Sequence, residues 1–458
     1  MKYQVSLLTL LATLLLASCS TDDYLRVVPA DCQALLSIDL TGLTDEKAAA
    51  GRLETLMKSA AGIDDLSECG IALDARILLF ETGDGLFGLC AKVDDESDLQ
   101  AFLDGPLATK GFCQKTVSRK DCHFTMVHDS WLLGFSGESL LLMGPLVSAS
   151  KAQLIQQMTR LLNGKEKRNV TDSRLYQHLD SLQAPLKIVT QARALPEQVA
   201  ALLTLGAPKD ADPSQVCLSL TAQTEDGIVD VETETFSFNA RLNASLHEAQ
   251  QAFRPVTTKY LSCLTPEMPL AFFLNMEGER LLTLMRDNPA LQSLLAGVNT
   301  AIDMDNILRS IDGDLSLLVP TLSDQKTEAV MTAQLKSSDF LKDIGYWKQS
   351  CPAGTRIEEV GSQQYRFTDG TMSLYFGVSD QQFYAGSTPE NCQLGLRADA
   401  TSPNEAINRL EGQRMGLLVN LRPLLSHPLY GSMLQSITQL LFGDAHLIVG
   451  HTQVSAGR

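Results

Sequence analysis

The sequence predicts an α+β protein, a tandem duplication of a mostly antiparallel sheet with helices packed on it. Two observations carry this. An ordered series of apolar strand and helix patterns occurs twice, at an offset of about 240 residues that drifts by a few positions, as loop insertions would make it. The strand-like runs alternate and are joined by short turns, which favours antiparallel hairpins. Composition agrees: the chain has 458 residues, 44% hydrophobic and 20% charged, which is ordinary for a globular protein and long enough for more than one core.

The first repeat opens on Ala34 to Gly42 (ALLSIDLTG), which matches Leu270 to Gly278 (LAFFLNMEG). Each is an apolar strand ending in Asp or Asn and leading through glycine into a leucine-rich helix. In the second copy Leu281, Leu282, Leu284, Met285, Leu291, Leu294 and Leu295 read as core positions. Leu73 to Phe80 (LDARILLF) then matches Ile311 to Leu318 (IDGDLSLL), each entering a strand after an aspartate turn. Hairpin partners follow at 86–93 and 329–335, then short helices in SDLQAFL and SDFLKDI. Three further strands match between 123–144 and 364–386. A helix, strand, helix and strand complete each copy, over 172–220 and 403–449. The first copy has an additional alternating strand within 227–239, so either the second copy ends on an open edge or this strand serves both. The organisation expected is a signal peptide over 1–18, a lipidated tether over 19–27, a first repeat over 28–260 and a shortened second repeat over 261–458.

The N-terminus is an address. Lys2 precedes a mostly apolar run from Val5 to Leu16. That run is shorter than the roughly 20 residues of a spanning helix and has secretory flanks. Leu16-Ala17-Ser18-Cys19 resembles the lipobox of bacterial lipoproteins. The resemblance implies cleavage between Ser18 and Cys19, a diacylglyceryl thioether on the Cys19 thiol and a further acyl (palmitate) chain on its amine. Two or three acyl chains anchor stably, whereas one is marginal. The alternative is a plain secretory signal that happens to contain a cysteine. Ser20, Asp22 and Asp23 behind the cysteine resemble the surface-export signal of Bacteroidota lipoproteins, set against a simple solvated tether.

Ten cysteines occur, so at least one of the nine beyond Cys19 lacks a partner within the chain. Cys113 and Cys122 form the best local pair, facing each other across a hairpin around 116–118. Cys90 and Cys217 lie in apolar runs and read as buried small hydrophobes.

Motifs for chemistry are weak. Gly83, Gly85 and Gly88 match GxGxxG, but the third glycine lies within an alternating strand, so a hairpin turn fits better than a dinucleotide cradle. Ser136, between Gly134 and Gly137, lacks the spacing of a nucleophile elbow. The histidines show no zinc-ligand spacing; His123 and His128 bracket one strand, as His446 and His451 do. Asp94, Asp95 and Glu96 read as a helix N-terminus. Asp303 with Asp305, and Asp312 with Asp314, read as solvated caps and turns. Asp180-Ser181-Leu182 resembles the short O-glycosylation motif of Bacteroidota. No catalytic residue, metal ligand or cofactor site is assigned. With Lys plus Arg at 37 against Asp plus Glu at 54, the net charge of −17 argues against nucleic acid as a partner.

The lipobox, the Ser-Thr-Asp-Asp tail, Val28-Pro29-Ala30-Asp31 before the first strand and the repeated order together resemble a family of Bacteroidota outer-membrane lipoproteins known only as a domain of unknown function. The resemblance implies a lipid-anchored outer-membrane protein, at the cell surface or on the periplasmic face. Its partners would be the membrane, through Cys19, and an envelope protein or extracellular glycan. A non-enzymatic binding or scaffold role is the first reading. A hydrolase whose site is assembled from residues distant in sequence is the second.

Overall fold

The computed structural model describes residues 22–43, 51–55, 58, 66, 68–146, 148–208, 210–257, 259–264, 268–286, 288, 303–323, 326–396, 405–426 and 431–452. The fold is α+β, and the chain divides into two compact units, Met1–Ser181 and Leu182–Arg458.

In the first unit the strands are β1 (Cys32–Ile38), β2 (Ile77–Thr82), β3 (Phe87–Lys92), β4 (Val117–Arg119), β5 (Cys122–Val127), β6 (Trp131–Ser136) and β7 (Ser139–Gly144). Their spatial order is β1-β2-β3-β7-β6-β5-β4, antiparallel throughout. Asp95 caps the helix Glu96–Phe102, accepting the backbone N–H groups of Ser97 and Asp98 at 2.8 and 2.9 Å, as the acidic run predicted. This helix buries Leu99 and Phe102 against Leu133, Phe135 and Leu140. Gly83–Gly85 form the β2–β3 hairpin turn, with Gly85 at φ +83°. Gly88 lies in β3, where a Cβ would come within 2.0 Å of the Phe80 ring. The glycines therefore serve a turn and a close packing contact.

The second unit contains β8 (Leu186–Gln191), β9 (Cys217–Glu225), β10 (Ile228–Phe236), β11 (Phe253–Arg254), β12 (Leu270–Glu277), β13 (Ile311–Leu322), β14 (Thr327–Leu335), β15 (Arg356–Gly361), β16 (Gln364–Thr368), β17 (Ser373–Ser379), β18 (Gln382–Gly386), β19 (Met415–Asn420) and β20 (Leu447–Thr452). The run β12-β13-β14-β18-β17-β16-β15 repeats the strand order of the first unit. The duplication is thus one of topology as well as pattern. Phe273, Leu318, Val330, Leu418 and Val449 form one core; Met276, Ile311, Phe340, Trp347 and Phe376 form another. Leu282 is buried, while Leu291, Leu294 and Leu295 lie outside the described residues. Gly278 follows β12 and opens the helix Gly278–Arg286, where a Cβ would sit 1.8 Å from the Leu308 carbonyl oxygen, so the matched glycine answers a close backbone approach.

The extra strand of the first repeat serves the second. β10 pairs in parallel with β20, from Ile228 opposite Leu447 to Thr233 opposite Thr452. β20 pairs on its other side with β19. This moves the boundary between compact units to 181/182, away from the 260/261 expected from the repeats, because β8, β9 and β10 are hydrogen-bonded into the same sheet as β20.

Candidate functional site

Ser18, Cys19 and Ser20 lie outside the described residues. The described residues begin at Asp22. Residues Asp23–Val27 form a 3-10 helix that buries Tyr24, Leu25 and Val27, so the segment expected to be tether as far as residue 27 is packed into the first unit. The apolar residues of YLRVV explain this, since leaving them in water would forgo roughly 1.5–3 kcal/mol for each large side chain.

Asp22 is held by Arg76, at the entry to β2. The guanidinium donates from Nε to Asp22 Oδ1 at 3.2 Å and from Nη2 to Oδ2, which makes the pair bidentate. Nη1 donates to Asp180 Oδ1 at 2.9 Å, and Nη2 also reaches the Tyr176 hydroxyl. The Arg76 guanidinium carbon lies 5.5 Å from the centre of the Tyr176 ring. Tyr24 donates its hydroxyl to the Arg76 carbonyl at 2.5 Å. One arginine therefore ties the residue nearest the tether, the β2 entry and the helix Arg174–Ser181 together. Burial works against its charge, but Tyr176, Asp180 and Asp22 outweigh it and hold the guanidinium pKa above its ordinary value. Burial also pushes the Tyr176 phenol up to about 12. Asp23 pairs instead with Arg26 at 3.0 Å on the surface.

The second repeat has a counterpart with different chemistry. Asp314 stands where Arg76 does in the aligned strands, and Tyr260 stands where Tyr24 does. Asp314 accepts the Thr257 backbone N–H at 3.1 Å and the Thr257 hydroxyl. It is only 3% exposed, so the solvated turn expected there is corrected: β12 and the chain before it close over the carboxylate. Burial raises its pKa, opposed by the hydrogen bonds from Thr257 and Asn275. The Tyr260 hydroxyl is buried without a hydrogen-bond partner among the described residues. Asp303 keeps its expected role, capping the helix Met304–Ser310 through the Asn306 N–H at 3.0 Å.

Cys113 and Cys122 are free thiols. The hairpin turns at Lys120 and Asp121, both at positive φ, which places Cys122 opposite Arg119, while Cys113 bridges to Val127. The turn lies later than 116–118, so it does not bring the two sulfurs together. The same hairpin sets Ser118 opposite His123. Ser118 Oγ is 3.1 Å from His123 Nδ1, and Glu96 Oε1 is 3.7 Å from His123 Nε2. The imidazole stacks on Phe135 with ring centres 5.0 Å apart. A neutral His123 can take the Ser118 proton in this arrangement, while Glu96 lies beyond direct hydrogen-bond reach. Ser136 donates to the Asp121 carbonyl at 2.9 Å, a turn contact.

Among the described residues, no helix is long and apolar enough to cross a membrane, and no three His, Cys, Asp or Glu side chains are grouped to hold a metal ion. Residues 24–394 match the family model described as "Domain of unknown function (DUF4836)". The chain belongs to this family. The DUF4836 match opens at Tyr24, whose hydroxyl binds the Arg76 carbonyl. No curated protein matches the chain. Among solved structures, crystal form I of TP0453 is similar at 9% identity, covering 84% of this chain and 99% of that one with a TM-score of 0.23. Crystal form IV of TP0453 is similar at 8% identity, covering 81% and 96% with a TM-score of 0.25.

Proposed function

We propose that the protein is a cell-envelope lipoprotein of the Bacteroidota type, held in the outer membrane by acyl chains on Cys19, and that its body is a non-enzymatic module binding an envelope protein or extracellular glycan. The observation that carries this reading is the Leu16-Ala17-Ser18-Cys19 sequence, which ends three residues before Asp22 and the packed segment Asp23–Val27. Cys19→Ala is expected to leave the far-ultraviolet circular dichroism unchanged and to move the protein from the detergent to the aqueous phase. A variant that still enters detergent overturns the anchor. Ser20, Asp22 and Asp23 are the proposed export signal. Because Asp22 is engaged by Arg76, that signal is read on the chain before the body folds.

The hydrolase reading keeps one specific support, the Ser118–His123 contact with Glu96 beside it. A fluorophosphonate probe tests it. Under the binding-module reading, label on the full chain is no greater than on Ser118→Ala. Covalent label confined to Ser118 and lost in that variant would establish the hydrolase instead.

A further inference from the structure

We infer that the clamp on Asp22 leaves a leash too short to lift the body off the bilayer, so that the Asp22–Arg76–Asp180 end of the first unit lies against the phospholipid headgroups. The inference rests on the proposed anchor at Cys19. Between that residue and Asp22 stand only Ser20 and Thr21. Fully extended, the chain from Cys19 to Asp22 spans about 11 Å at most. That exceeds a headgroup layer of about 5–7.5 Å by only a few ångströms. Asp22 cannot be drawn out to lengthen it cheaply, because its carboxylate is fixed by two bonds from Arg76 and the next residues, Tyr24 and Leu25, are buried.

The charges at this end suit such a position. The whole chain carries −17, which an anionic surface would repel. Here most of the charge is paired: Asp22 and Asp180 share Arg76, and Asp23 pairs with Arg26, which leaves one net negative charge. A paired cluster has a weak field beyond one Debye length of about 8–10 Å. The Asp180 side chain is 54% exposed and offers an oxygen to a lipid ammonium group. The chemistry fits a zwitterionic headgroup layer.

The experiment uses the full-length protein, extracted with its lipid and placed in phosphatidylethanolamine–phosphatidylcholine vesicles carrying a headgroup energy acceptor. A donor dye goes on Asp74→Cys, an exposed turn position beside Arg76, in a Cys351→Ser background, since the other described cysteines are buried. A second variant carries twenty Gly and Ser residues between Thr21 and Asp22, a coil of roughly 25 Å root-mean-square length. Energy transfer is expected to be strong with the native leash and to fall at least two-fold, on the order of the added distance, with the long one. Equal transfer from both, with both proteins on the vesicles, overturns the apposition and leaves the anchor standing. A native-leash protein that stays off the vesicles, with Cys19 unmodified by mass spectrometry, overturns the anchor itself.

Discussion

Arg76→Met is expected to cost the first unit about 2–4 kcal/mol of stability. Methionine keeps the apolar stem but removes every donor that meets Asp22, Asp180 and Tyr176. Arg76 is the most enclosed member, its side chain 15% exposed, so its loss leaves unpaired acceptors around a partly dry site. The partners are wetter, at 32% for Asp22 and 54% for Asp180, and water takes up part of the loss. Asp180→Asn is accordingly expected to cost under about 1 kcal/mol. Urea unfolding followed at Trp131, in a Trp347→Phe background, reads the first unit alone. An Arg76→Met protein within about 0.5 kcal/mol of its parent would mean that the clamp is a surface ornament of the fold.

The parts of this architecture that are local in the chain were legible beforehand. Asp95 ahead of an apolar periodic run reads directly as a helix start, and Gly83–Gly85 as a hairpin turn, because both are set by residues a few positions apart. The duplication was legible because strand alternation and glycine placement survive divergence. What was hidden is long-range partnership. Alternation tells which face of β10 is apolar but not which strand lies beside it, so the pairing with β20 needed the fold. Arg76 and Asp22 are 54 residues apart. The one signal that could have drawn attention to the clamp was the mismatch between LDAR and IDGD within the repeat. An arginine and an aspartate alternating at one structural position mark a place where each copy has built its own polar closure. Cys113 and Cys122 failed for a related reason: sequence spacing located a hairpin, but its turn falls at Lys120–Asp121, and a small change in register separates two sulfurs.

Asp314 makes the second unit less stable as pH rises through the acid range. Burial raises its folded pKa above the value of about 3.9 expected when the chain is unfolded. The folded state therefore holds this proton at a pH where the unfolded state has released it. The resulting stabilisation is full below the unfolded pKa and is lost as pH climbs through the raised folded value. Asp314→Asn copies the protonated carboxyl. Its amide oxygen still accepts the Thr257 N–H, and its NH2 donates to the Thr257 hydroxyl oxygen. The variant is expected to be about 1 kcal/mol more stable than the parent at pH 7, with the advantage vanishing below about pH 4. Asp314→Ala is expected to be weaker than Asp314→Asn by about 0.5–1.5 kcal/mol at pH 7, since the bonds from the Thr257 N–H and hydroxyl are lost while exposed Thr257 can turn to water. Subtracting the parent curve from that of Asp314→Asn, with unfolding read at Trp347, cancels the titration of carboxylates common to both. A pH-independent difference, or a variant weaker at pH 7, would mean that Thr257 and Asn275 already bind the anion strongly enough to overcome its burial, and that the second repeat, like the first, closes its strand entry around a full charge.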